Sequence, residues 1–209
     1  DGFASGRSPQ SSAVGIVFEN CESSYCMDNG ISHHGSHVVV RNTHSHHNAG
    51  CGIVDVYDNC KARYENCIIE HDTFRGGAEF LSGAYEVVHC IFRDNRHKAV
   101  TVGRAATLKM THCVILPGPD GNATGLKIDQ GCNVVLTNCT FYGFDKGIRT
   151  SSYDPNKPPA NITLRNCAFV DCNTAVWWQQ YKAPVPPKIT ARGNYLAPGC
   201  QPEFGRVFA

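Results

Sequence analysis

Long apolar runs are missing from this chain. Nowhere do about 18 apolar residues follow one another, which excludes a membrane-spanning helix of ordinary length. Charge of one sign is missing too: 19 Lys and Arg stand against 18 Asp and Glu, and no lysine-rich or arginine-rich stripe appears. Nucleic acid and anionic membrane surfaces are therefore poor partners for it. Cys-x-x-Cys pairs are absent, so the twelve cysteines do not spell a zinc ribbon. Neither a leucine signature nor a 3.6-residue apolar period is found, which removes leucine-rich and helical arrays. The opening DGFASGRSPQSS has no signal-peptide pattern. The expectation is that a targeting segment was removed, or that the chain is a piece of something longer.

What the chain does have is a repeat. Seven times an apolar run ends in Asn or His followed by Cys or Thr: Asn20-Cys21, Asn42-Thr43, Asn66-Cys67, His89-Cys90, His112-Cys113, Asn138-Cys139 and Asn166-Cys167. Successive anchors are 22 to 28 residues apart, from the step 20 to 42 up to the step 138 to 166. Such a period means a solenoid built from stacked coils. Four and two positions before each anchor stand apolar residues, among them Val38 and Val40, Tyr85 and Val87, and Ile162 and Leu164. Mixed residues such as Arg63, Glu86 and Lys109 lie between them, the alternation of a half-buried strand. A second strand follows the anchor, with Cys67 and Ile69 or Cys139 and Phe141 pointing inward. A third follows a small residue, as at Gly52-Ile53, Ala99-Val100 and Gly147-Ile148.

Three short strands per coil predict an all-β, right-handed parallel β-helix solenoid of about seven to eight coils. The pattern resembles the pectate-lyase-like superfamily over roughly residues 15 to 180. Residues 1 to 14 read as an irregular N-terminal segment, and 181 to 209 as a Pro-rich segment covering the last coil. With 42% hydrophobic residues, a single domain has enough apolar material for a continuous core. Equivalent residues of neighbouring coils should form ladders: an asparagine ladder satisfying buried donors at the bend, and a cysteine ladder acting as small apolar filler. Mostly free thiols are expected, because ladder side chains run parallel rather than toward each other. The sequon asparagines Asn122, Asn138 and Asn161 do not decide the compartment, since Asn138 as a ladder residue is expected to be buried.

Two constellations carry possible chemistry. Along the outward column of the third strand, Lys127 and Arg149 are one coil apart, with Asp129 beside them, Glu79 two coils away, and Trp177. Cations of this kind suit uronate carboxylates, and an indole suits a sugar face. Proton abstraction beside a carboxylate, the lyase and epimerase step, needs a base and charge stabilisation. Lys127 or a histidine is the candidate base, and Arg149 the stabiliser. The plain alternative is a solvated strand face, and Trp177, with Trp178 and Tyr181, could equally be material that the C-terminal tail covers. The inserts LPGPDGNAT and SSYDPNKPPA are placed to wall a groove. The second constellation is the stretch GISHHGSHVVVRNTHSHHNAGCGIVDVYD, with six of the ten histidines. His33 and Asp55 share one inward position in consecutive coils, and with His46 they are the candidate ligands for a divalent metal, calcium or zinc.

This stretch also resembles the catalytic module of mannuronan C5-epimerases. Aligning on Gly30 and on Gly52-Ile53 brings His34 onto that family's catalytic histidine. Asn29 stands where the family has tyrosine and Ser32 where it has aspartate, and Arg75 in FRGGAEF is nearest to its further histidine. The polygalacturonase set is absent, since Asn42-Thr43 is followed by His44. The expectation is a carbohydrate-active β-helix at the cell surface or outside it. It would bind or process an acidic polysaccharide through His34, Lys127, Arg149, Glu79, Asp129, Trp177 and Arg75. The alternative is a non-catalytic structural or adhesive solenoid, self-associating end to end or laterally.

Overall fold

A computed structural model describes residues 1–5, 15–58, 60–119, 124–180 and 185–202. The segment 6–14, the sequon Asn122, Tyr181 and the last seven residues lie outside the described residues. Each coil contributes one strand to each of three parallel sheets of eight strands, and the stack makes about seven turns with no helix among the described residues. The first-strand sheet runs from Val17–Glu19 to Lys188–Arg192, and the second-strand sheet from Glu22–Ser24 to Tyr195–Leu196. The third-strand sheet runs from Phe3–Ser5 to Thr174–Gln180. Strands therefore continue on both sides of the 15–180 span: Phe3–Ser5 pairs with Ile31–His33, and Lys188–Arg192 pairs with Asn161–Arg165. A short stretch after the prolines is enough for this, because Ile189 and Ala191 keep the apolar alternation.

Strict register turns sequence columns into spatial ones. Ile53, Ala78, Val100, Leu126, Ile148 and Val176 are consecutive partners and all are buried. Phe141 and Phe169 stack at 5.1 Å with 8° between their planes. Toward the N-terminal coils the interior becomes polar. Ser23 and Ser45 replace the apolar column and donate to the carbonyls of Gly30 and Gly52 at 2.8 and 3.0 Å.

The seven anchors all adopt left-handed backbone, with φ between 50° and 54°. This explains the choice of Asn and His better than burial does, because short polar side chains tolerate that region with local hydrogen bonding. The expectation of a buried ladder is corrected: six of the seven anchors are exposed, and Asn138 is half-exposed. The side chains still chain along the surface. Asn42 donates to Asn20 at 3.2 Å and Asn66 to Asn42 at 3.3 Å, His89 and His112 stack at 5.1 Å, and Asn138 meets His112 at 2.8 Å.

A true buried ladder stands elsewhere. Asn48, Asp72 and Asn95 line the inner side of the turn from the second-strand to the third-strand sheet. Asp72 accepts from the Asn48 backbone N–H at 3.0 Å and from its side-chain amide at 2.9 Å, while Asn95 accepts from the Asp72 N–H at 3.0 Å. Gly52 follows this ladder for lack of space: a Cβ there would sit 2.4 Å from Asp72 Oδ2 and 2.8 Å from the Gly77 carbonyl.

All twelve cysteines are free, ten of them buried, with only Cys21 and Cys26 partly accessible. Inward thiols donate to backbone carbonyls, as Cys67 does to Val40 at 3.5 Å and Cys113 to Val87 at 3.5 Å. Burial pushes Cys132 up to about 11, and Cys139, where the bond it donates to Cys113 adds most, up to about 12. Ten of the thiols are closed off from solvent, so a disulfide exchange reagent should label at most Cys21 and Cys26 in the native protein and all twelve after denaturation. Fast native labelling of more than two thiols would contradict this packing.

Candidate functional site

The outward face of the third-strand sheet collects charge because every third strand presents its alternate residues on one side. Glu79 pairs in register with Thr101, Thr101 with Lys127, Lys127 with Arg149, and Arg149 with Trp177. Neighbours in this column are about 4.8 Å apart. Lys127 Nζ is held 3.0 Å from Asp129, and Arg75 reaches Glu79 at 3.5 Å. The expected base Lys127 thus contacts the expected substrate-binding Asp129, and two expected substrate-binding residues, Arg75 and Glu79, contact each other.

Two further cations join this face. Lys98 opens its strand opposite Thr124, and Thr124 is followed in register by Lys146. Burial, then the charge of Lys127, holds the Lys98 ammonium below its ordinary value; Glu79 opposes this and Arg149 adds to it. Lys146 lies 4.6 Å above the Trp177 ring, and the Arg149 guanidinium lies 6.0 Å from it, both within cation–π reach. Sequence reasoning missed Lys98 and Lys146 because it started each third strand at the small residue. The strands begin one residue earlier, at Lys98 and Lys146.

Trp177 and Trp178 point to opposite sides of their strand. Trp178 occupies the inward column after Ile128 and Thr150, and its indole N–H donates to Ser152 at 3.3 Å beneath Val185 and Pro187. Trp177 faces outward among the cations. The insert after Arg149 walls a cleft of about 470 Å³ that opens beside Asp129, lined by Arg104, Gln130, Tyr153, Asp154 and Lys157. Gln130 fixes that wall by accepting from the N–H groups of Tyr153 and Asp154 at 3.1 Å and donating to the Asp154 and Lys157 carbonyls.

His34 does not belong to this cluster. It sits in the coil of Ser32, and four register steps through Val54, Glu79 and Thr101 separate Ser32 from Lys127. That is about 19 Å at the usual strand spacing, too far for one reacting sugar. Grouping His34 with Lys127 and Arg149 as one catalytic set is corrected on this ground. His34 packs edge-on against Tyr57 at 4.8 Å, and burial holds its imidazole below the ordinary value.

The grouping of His33, Asp55 and His46 as metal ligands is corrected as well. His33 and Asp55 meet inside the solenoid at 3.0 Å, both fully buried, and Tyr64 donates to the other Asp55 oxygen at 2.7 Å. His46 stands on the second-strand sheet, facing out, with Nε2 3.1 Å from Glu22. A wall of the solenoid lies between them.

A three-sheet parallel solenoid with a charged outer face defines the class of protein. The right handed beta helix region family matches residues 9–119 and 71–196, and the chain belongs to that family. Among solved structures, pectate lyase Pel9A is similar at 14% identity with a TM-score of 0.54, covering 83% of this chain and 52% of that enzyme, so this chain spans about half its length. QnrB1, a plasmid-mediated fluoroquinolone resistance protein, matches at 14% identity and a TM-score of 0.30, over 92% of this chain and 86% of its own. The first likeness is one of fold; the second is too loose to carry an argument. No curated protein matches. No helix among the described residues is long and apolar enough to cross a membrane.

Proposed function

We propose that the outer face from Glu79 to Trp177, with the cleft beside Asp129, binds a uronate-containing polysaccharide and removes the proton next to a uronate carboxylate. The supporting observation is the set of four cations on three successive strands, Lys98, Lys127, and then Lys146 with Arg149, the last two beside Trp177. Uronate carboxylates would meet Lys127 and Arg149, and the Trp177 ring would carry a sugar face. Lys98 is the better base, since its lowered value yields more free amine near neutral pH. Arg149 and Lys127 would then stabilise the charge that develops on the carboxylate. An extracellular or cell-surface location follows from such a substrate.

Proton NMR of alginate, pectate and glycosaminoglycans after incubation tests this, because it sees unsaturated ends and inverted C5 centres together. Lys98→Ala is expected to lower the rate by about a hundredfold or more, the usual loss with a general base. Arg149→Ala is expected to weaken retention on an immobilised polyuronate. Polymers that bind but return unchanged reduce the reading to binding, and absence of both removes it. The internal pairing of Lys127 with Asp129 and of Arg75 with Glu79 favours a second reading, a structural or adhesive solenoid. That reading expects unchanged polymers and a mass that grows with concentration in sedimentation.

A further inference from the structure

The second corner of the solenoid, where the second-strand sheet turns toward the third, lies five residues past each of the first four anchors. Left-handed backbone at Tyr25, His47, His71 and Asp94, with φ of 54° to 56°, sets these side chains in one row, one coil apart. The rings of Tyr25 and His47 lie 5.1 Å apart and those of His47 and His71 4.6 Å apart. Glu70 ends the strand just before His71 and is only 7% exposed. One ligand atom from each of Glu70, His71 and Asp94 lies within 4.8 Å of the other two.

We propose that Glu70, His71 and Asp94 bind a divalent transition-metal ion, zinc above all, at this corner. One imidazole nitrogen and two carboxylate oxygens form a donor set that zinc takes at about 2.0–2.2 Å, which leaves the donor atoms themselves roughly 3–4 Å apart, so small side-chain rotations from the present separations are enough to seat the ion. Calcium is a poor fit, because it takes oxygen ligands alone and one of the three donors is an imidazole. Glu70 is oriented in advance: Oε1 is 2.8 Å from His44 Nε2, and Oε2 is paired with Arg93. Each of those oxygens keeps a lone pair for the metal while holding its partner, the outer-shell support that metal sites use. His47, whose ring lies 4.6 Å from that of His71, is a further imidazole beside the site, and water would complete the shell. The ion would join the coil of Glu70 and His71 to the next one through Asp94. Its position does not depend on the polysaccharide reading.

Isothermal titration of the reduced protein with zinc chloride, together with long-range proton–nitrogen NMR of the imidazoles, tests the site. The expected result is one saturable event that shifts a ring nitrogen of His71. His71→Asn and Asp94→Asn keep residues that tolerate the left-handed bend, so both should fold. Each should weaken binding by more than the roughly 10- to 100-fold that loss of an outer-shell partner costs. His37→Asn, a left-handed position on another strand, should leave it unchanged. Absence of a saturable event, or binding of ordinary strength in both His71→Asn and Asp94→Asn, overturns the proposal.

Discussion

Asp55→Ala is expected to lower the unfolding free energy by about 3 kcal/mol, a large share of what a domain of this size has to lose. Asp55 is fully buried and serves two partners, His33 at 3.0 Å and the Tyr64 hydroxyl at 2.7 Å. Removing the carboxylate leaves an imidazole and a phenol facing an apolar cavity, and the cost is mostly that of the groups left behind. Tyr64→Phe deletes a single hydroxyl and should cost about 1–2 kcal/mol. Replacing both members, His33→Leu with Asp55→Leu, should recover much of the loss, because a buried polar pair can give way to apolar residues at little net cost. Urea denaturation followed by circular dichroism gives all three numbers. An Asp55→Ala protein within 1 kcal/mol of the parent would mean that the N-terminal coils contribute little to the cooperative unit.

Asp72→Asn should act in the opposite direction, stabilising the protein above neutral pH. Burial is the largest influence on Asp72 and raises its carboxyl to about 7, against the two hydrogen bonds from Asn48 that favour the ionised form. In the unfolded chain the group titrates near 3.9. A carboxyl raised in the folded state contributes stability that is complete below about pH 4 and is lost as pH rises toward 7. Over that window the contribution falls by roughly 1.4 kcal/mol per pH unit. Asn at this position matches Asn48 and Asn95 above and below and carries no titrating proton. The variant should equal the parent near pH 4 and exceed it by about 2–4 kcal/mol at pH 8. Parallel stability curves for the two proteins between pH 4 and 8 would show that the Asp72 carboxyl titrates normally.

The coil was legible because its signal is periodic and made at each repeat. Val38, Tyr85, Leu108 and Ile162 alternate with outward residues in every turn, and strict register stacked them as their spacing implied. The free cysteines were legible for the same reason, as small inward residues at a fixed offset. The anchors were located correctly but given the wrong cause, since their left-handed backbone rather than burial selects Asn and His. The Asn48, Asp72 and Asn95 ladder carries the same spacing as the anchors and could have been found from it. The site was harder to read. A strand that starts one residue early brings Lys98 and Lys146 onto the outer face, and no periodic pattern announces such a shift. Likewise, sequence proximity grouped His46 with His33, although a bend of the coil sends them to opposite sides of the wall.

The corner rows have a consequence for how this protein can change. A side chain at a left-handed corner has the bend as its main structural requirement, and Asn, Asp, His and Gly meet that requirement in this chain. Surface chemistry at a corner can therefore be exchanged one coil at a time, from imidazole to carboxylate to amide, while the interior columns stay fixed. The corners are positions of high mutational tolerance laid out at regular intervals. New recognition properties can accumulate there without passing through an unfolded intermediate sequence.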